Sequence, residues 1–234
     1  MSINGTVLSI DVGGSHVKIL TSLGGQPRRV ASGPTLTAAQ MCAAVIQLAQ
    51  GLDYDCISIG YPGPVTHNRP IAEPHNLGAG WVGFDFAAAL GKPVRIVNDA
   101  LMQALGSYHG GRMLFLGLGT GLGAAMIVDG VAEPMELAHL PYRKGRTFED
   151  YVSDASRRKR GTKHWRKTVF DVVEKLSAAL EPDYVVIGGG NVDHLDDLPP
   201  HCQRGDNDKA FVGGFRLWQD NPHASGPDQT TTGD

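Results

Sequence analysis

Short apolar runs alternate with glycine turns along most of this chain, and the alternation predicts its elements. Thr6–Asp11 reads as a strand that enters Gly13–Gly14, and Val17–Leu20 continues as a second strand, so the pair predicts a hairpin with a glycine tip. Thr37–Gln50 is an Ala-rich apolar helix closed by Asp53–Asp55, and strand Cys56–Ile59 then meets Gly60-Tyr61-Pro62-Gly63. The same order returns further on. Met113–Leu118 and Ala124–Val128 flank the glycines from Gly117 to Gly123, and Asp129–Gly130 follows as a hairpin turn. Val169, Val172, Val173, Leu176 and Leu180 then form a stripe at helical spacing. Pro182–Asp183 ends that helix, and strand Tyr184–Ile187 meets Gly188-Gly189-Gly190.

Hairpin, helix, strand, glycine loop: the order occurs twice. A duplication of this kind predicts two similar α/β lobes with a cleft between them, although α/β alternation is common enough to arise without one. The boundary falls near Asn98–Gly111, which gives an N-terminal lobe over 1–98, a C-terminal lobe over 99–220 and a polar tail over 221–234.

Composition narrows the function classes. Of 234 residues, 31 are Gly, above the usual share of about 7%, and they cluster in loops where backbone can approach a ligand. Net charge is -3 with 19% charged residues, which points to neither nucleic acid nor a membrane surface. No apolar run is long enough to span a bilayer and no leader peptide is evident, so a cytoplasmic protein is expected. Cys42, Cys56 and Cys202 lie far apart with no CxxC pair; two of them sit in apolar segments and read as inert thiols.

Two glycine loops carry candidate chemistry. Asp11-Val12-Gly13-Gly14-Ser15-His16 and Gly117-Leu118-Gly119-Thr120-Gly121-Leu122-Gly123 are built of small residues, so several backbone N–H groups could converge on anionic oxygens. Each alone could be an ordinary turn, and GxxxxGK[ST] is absent. Asp11, at a strand end beside such a loop, is placed to hold Mg²⁺ through water. Asn98-Asp99 ends one apolar strand and precedes the helical run Ala100–Tyr108, where Asp99 could equally serve as a helix cap. Glu136 and His139 stand three residues apart, on one face if helical, or within a capped surface turn.

The ordered set DVGGS, GYPGPV, VNDA, GLGTGLG, ELAH and IGGG resembles the ROK family of bacterial sugar kinases and related repressors, from about Leu8 to Gly214. The resemblance implies the actin-like ATPase (RNase H-like) fold of two duplicated α/β lobes around a central cleft. It implies phosphoryl transfer from ATP or polyphosphate, with Mg²⁺, to a hexose, glucose first and at its 6-hydroxyl. Asp99 would be the base that accepts the hydroxyl proton, and Asn76, Asn98, Glu136 and His139 would contact the sugar. Gly13, Gly14 and Ser15, with Gly119, Thr120 and Gly121, would hold phosphates, and Gly189 and Gly190 would border an adenine pocket near Gly188–Asn191. A homodimer is compatible with the resemblance.

The departures are informative. Ala138 replaces the glycine usual in the ELGH motif, and Leu140–Ser156 contains no cysteine, so the zinc site of many ROK proteins is not expected. This short, zinc-free form resembles the polyphosphate glucokinase branch. The first glycine loop begins at Asp11, so the DNA-binding domain of ROK repressors is not expected before it. Arg157-Arg158-Lys159-Arg160, Lys163, Arg166 and Lys167 form a basic run, either a solvated face or a track for a polyanion. A catalytically silent sugar-binding or regulatory protein is the rival reading, and fold alone does not choose.

Overall fold

The computed structural model describes residues 5–219; the polar tail at 221–234 lies outside them. The first lobe opens with strands β1 (Val7–Val12), β2 (His16–Thr21) and β3 (Gly24–Ala31), then helix α1 (Ala38–Leu48) and strand β4 (Cys56–Tyr61). A small ribbon, β5 (Val65–Thr66) with β6 (Arg69–Pro70), precedes helix α2 (Phe86–Leu90) and strand β7 (Val94–Asn98). Helix α3 (Asp99–Ser107) leads to the second lobe: β8 (Arg112–Leu118), β9 (Leu122–Val128), β10 (Val131–Met135), α4 (Glu149–Val152), α5 (Asp154–Arg160), α6 (Thr162–Leu180), β11 (Tyr184–Gly188) and β12 (Cys202–Arg204). Helix α7 (Lys209–Arg216) is last.

The two main sheets have one plan. Their strand orders are β3-β2-β1-β4-β7 and β10-β9-β8-β11-β12, each an antiparallel meander of three followed by two strands parallel to the first. The duplication is therefore present in the topology, and the architecture is the actin-like fold of two α/β lobes.

Local chemistry explains the elements. Thr37 caps α1, and with Gln40 it forms a reciprocal capping box. Asp129 and Gly130 both have positive φ, 49° and 84°, the geometry a two-residue hairpin turn needs. Every residue of β4 is buried, as befits a central strand covered on both faces. Cys42 and Cys56 are buried, and burial pushes the Cys42 thiol up to about 11.

Each sheet packs on its own helix. Met41, Cys42 and Val45 of α1 cover the first sheet with Ile10, Ile57 and Ile59. Trp165, Val169, Val172 and Leu176 of α6 cover the second with Leu114, Leu116 and Val185. Helices α3 and α7 fill the space between the sheets. The segment at the expected boundary is thus a helix, and α3 lies against Ala125 and Ile127 of the second sheet. Helix α7 follows the second lobe in sequence yet packs on the first sheet, where a Cβ at Gly214 would stand 2.1 Å from Ser9 Oγ. Ser9 and Ser58, register partners on β1 and β4, are small enough to admit it. Ser58 Oγ donates to Gly214 O at 2.5 Å and accepts from Trp218 Nε1 at 2.9 Å.

Candidate active site

The site grows from strand ends. Asp11 on β1 is in register with Gly60 on β4, and Tyr61 with Asn98 on β7, so Asp11, the Gly60 turn and Asn98-Asp99 share the carboxyl edge of three parallel strands. That edge is where open α/β sheets bind ligands. In the second lobe Gly117 pairs with Gly188, which sets the Gly119–Gly121 tip beside the Gly188–Gly190 loop. Helix α3 joins the two groups: a Cβ at Gly60 would meet Asp99 Cα at 3.6 Å, and one at Gly123 would meet Ala100 Cβ at 2.8 Å.

Helix capping falls to Asn98, not Asp99. Asn98 Oδ1 accepts from Ala100 N (2.9 Å) and Leu101 N (3.3 Å), while its Nδ2 donates to Gly63 O (3.0 Å). Asn98 therefore fixes the start of α3 and the Pro62–Gly63 turn together. Asp99 is the first helical residue, half-buried, with Oδ1 accepting from Ala100 N at 2.8 Å. Burial foremost, and then the charge of Asp11, raise its pKa to about 7. Asp11 is raised in turn, by burial; Lys18 opposes the shift from 3.8 Å, and Asp208 adds to it. A carboxylate poised near neutrality at a strand-edge loop cluster is suited to taking a proton.

The glycine hairpins are clamped differently. At the first tip, Gly13 N donates to His16 O at 3.0 Å, Ser32 Oγ donates to Gly13 O at 2.6 Å, and Gly14 lies against Asn76, which is exposed. Three partners hold the second tip. Asn191 Nδ2 donates to Gly119 O (2.9 Å) and Asn191 N to Leu118 O (2.9 Å). Asp154 N donates to the same Gly119 carbonyl (3.0 Å), and Glu149 Oε2 accepts from Leu122 N (3.0 Å). Gly189, at φ 82°, permits this contact, since a Cβ there would lie 2.4 Å from Leu118 O. Asn191, at the end of the segment expected to border an adenine, turns its buried side chain onto the hairpin.

Glu136 and His139 flank a single 3₁₀ turn after β10, both exposed, 3.8 Å apart. Three residues make one turn of such a helix, which puts both on one face. They make no hydrogen bond to the Asp99 cluster among the described residues.

Asp11 fits a role toward Mg²⁺ of limited kind. Its oxygens suit a hard cation, but among the described residues no three His, Cys, Asp or Glu side chains converge as a cage. The ion would rest on Asp11 through water and on donor phosphates.

Residues 7–133 match the ROK family, over half of the chain. The chain belongs to the ROK family. Among curated relatives, polyphosphate glucokinase of Mycobacterium tuberculosis is 27% identical over 207 residues, covering 80% of this chain and 73% of that protein. Two solved structures of similar fold are the inorganic polyphosphate/ATP-glucomannokinase from Arthrobacter sp. strain KM (TM-score 0.74, 23% identity, 90% of this chain and 96% of that one) and a ROK family glucokinase from Streptomyces griseus in complex with glucose and AMPPNP (TM-score 0.70, 17% identity, 91% and 98%).

Within this ROK chain, Glu149, Asp154 and Asn191 brace the second hairpin, a role the sequence did not assign to them. Only Asn191, directly after Gly190, had a local signal. Glu149→Ala is expected to free the Leu122 amide and loosen the hairpin, raising the donor KM about tenfold with the sugar KM unchanged. Glu149→Gln, which keeps an acceptor for Leu122 N, should restore most of it. A steady-state comparison of both variants in which both KM values rise together would contradict the role.

Proposed function

We propose that this protein is a hexose kinase that transfers a phosphoryl group from ATP or polyphosphate to a sugar hydroxyl, glucose foremost and at its 6-position. One observation carries the reading: Asp99, its pKa raised to about 7 by burial and then by Asp11, begins the helix that touches the Gly60 turn of the first lobe and, through Ala100, Gly123 of the second. The names of the relatives support it.

The sugar lies at the carboxyl edge of the first sheet, toward Asn76, Asn98, Glu136 and His139. Asp99 accepts the proton of the attacking hydroxyl and holds that oxygen in line with the donor phosphorus. Backbone amides at Gly14–Ser15 and Thr120–Gly121 meet the donor phosphates, while those of Gly13 and Gly119 close the hairpins on His16 O and Gly121 O, and Lys18 offsets the phosphate charge near Asp11. Gly189 and Gly190 border the remainder of the donor. Asp11 would hold Mg²⁺, which would supply positive charge against the donor phosphates. Phosphoryl transfer depends on positioning and charge stabilisation, which two clamped hairpins supply. No helix among the described residues is long and apolar enough to cross a membrane.

A coupled assay of the purified protein across hexoses, with MgATP and with polyphosphate, tests the proposal. Turnover should be highest with glucose. Sugar binding by calorimetry without turnover on either donor would identify a silent sugar binder instead.

A further inference from the structure

The basic run is not uniform. Asp154 accepts from Arg157 and Arg158, each at 2.7 Å. Arg166 forks onto Asp196 and also donates to His194 O at 2.5 Å. These three arginines are structural: they tie α5 to its own first turn and α6 to the segment after β11.

Three of the other cations in the run behave otherwise. Arg160, Lys163 and Lys167 line, with Gly161, Thr162 and His164, a cavity of about 390 Å³ at the corner between α5 and α6. Arg160 is steadied by Tyr151, whose ring centre lies 4.0 Å from the guanidinium. Lys163 and Lys167 are exposed, and among the described residues neither has a carboxylate partner. They stand four residues apart on one face of α6, a like-charge spacing that weakens a helix unless an anion comes between. The buried face of α6 is formed by Trp165, Thr168 and Val169, so the cationic face is turned outward.

The cavity is also linked to the donor loop. Helix α5 starts where Asp154 N donates to Gly119 O, and it ends at Arg160 on the cavity wall. Six steps of helical rise separate the two, about 9 Å. We propose that this cavity is an anchoring site for the distal part of a polyphosphate chain whose terminal phosphate lies at the Gly119–Gly121 hairpin. The inference rests on the reading of polyphosphate as a donor. Anchoring at a distance from the reacting end makes affinity depend on chain length and on salt, because exposed charges are screened over about 10 Å at 0.1 M. A donor that ends within the hairpin region gains nothing from Lys163 and Lys167.

The test is isothermal titration of wild type and of Lys163→Gln/Lys167→Gln with a long-chain polyphosphate and with tripolyphosphate, alongside steady-state KM for MgATP. Both substitutions are on an exposed face. The expected result is a loss of about tenfold in long-chain affinity in the variant, with tripolyphosphate binding and the MgATP KM unchanged. Equal long-chain affinity in variant and wild type, or no long-chain binding by wild type, would overturn the site. Lysine-dependent binding of long chains without turnover on them would uphold the site and remove the donor reading alone.

Discussion

Replacing Asp99 with Asn is expected to lower kcat by about two to four decades, with a modest change in sugar affinity. The amide still hydrogen-bonds a sugar hydroxyl and still accepts from Ala100 N, but it cannot take a proton at neutral pH. In the wild type the ascending limb of kcat/KM should follow Asp99 ionisation, with an apparent pKa of about 7.

The same variant should be more stable than the wild type at alkaline pH. A carboxyl whose folded pKa lies above its unfolded value binds its proton more tightly when folded, so stability falls as pH rises through the window from 3.8 to about 7. Asn has no such loss. Discounted for solvent at the cleft, the gain is about 1 kcal/mol at pH 8, or about 2–4 °C in Tm for a chain of this size. It should vanish near pH 4. Thermal melts of both proteins at the two pH values check the sign, and a variant less stable at pH 8 would contradict the strained-carboxylate account.

The second large effect lies at the crossing of α3 and α7. A Cβ at Gly106 would fall 1.8 Å from Lys209 O, and one at Gly213 would fall 1.7 Å from Met102 O. Both obstacles are backbone, so the helices themselves must separate. Gly213→Ala is expected to cost about 3 kcal/mol or more, a fall of about 6–12 °C in Tm. Because α7 also lies on Ser9 and Ser58, the disturbance reaches the strands that carry Asp11 and Gly60. A melt within 2 °C of wild type, as order of magnitude, would mean the helices adjust freely.

Much of this architecture is legible in the sequence because its signals are local. Apolar runs ending in glycine mark β1, β4, β8 and β11, and the repeated order of elements predicts the paired sheets. Strand β3 is almost wholly exposed, and its GGQPRRVA has no alternation to read, so pairing with β2 alone defines it. Helix α7 is hidden for a different reason. Its glycines look like breakers, and only the surface of α3 and the first sheet shows why they are needed. The site divides the same way. Asp99 and the glycine loops stand in motifs, whereas Glu149 and Asp154 reach Gly121 and Gly119 through folding of a segment with no motif of its own. Nor does the basic run separate in sequence into paired arginines and unpaired lysines, since Asp196 lies 30 residues from Arg166.

The central claim, phosphoryl transfer to a sugar hydroxyl with Asp99 as base, is tested most directly by phosphorus NMR of two parallel reactions, wild type and Asp99→Asn, each with MgATP and glucose. The predicted result is a sugar phosphomonoester signal that grows as ATP is consumed with wild type and stays at background with the variant. Orthophosphate without a sugar phosphate, or equal phosphomonoester from both proteins, would contradict it.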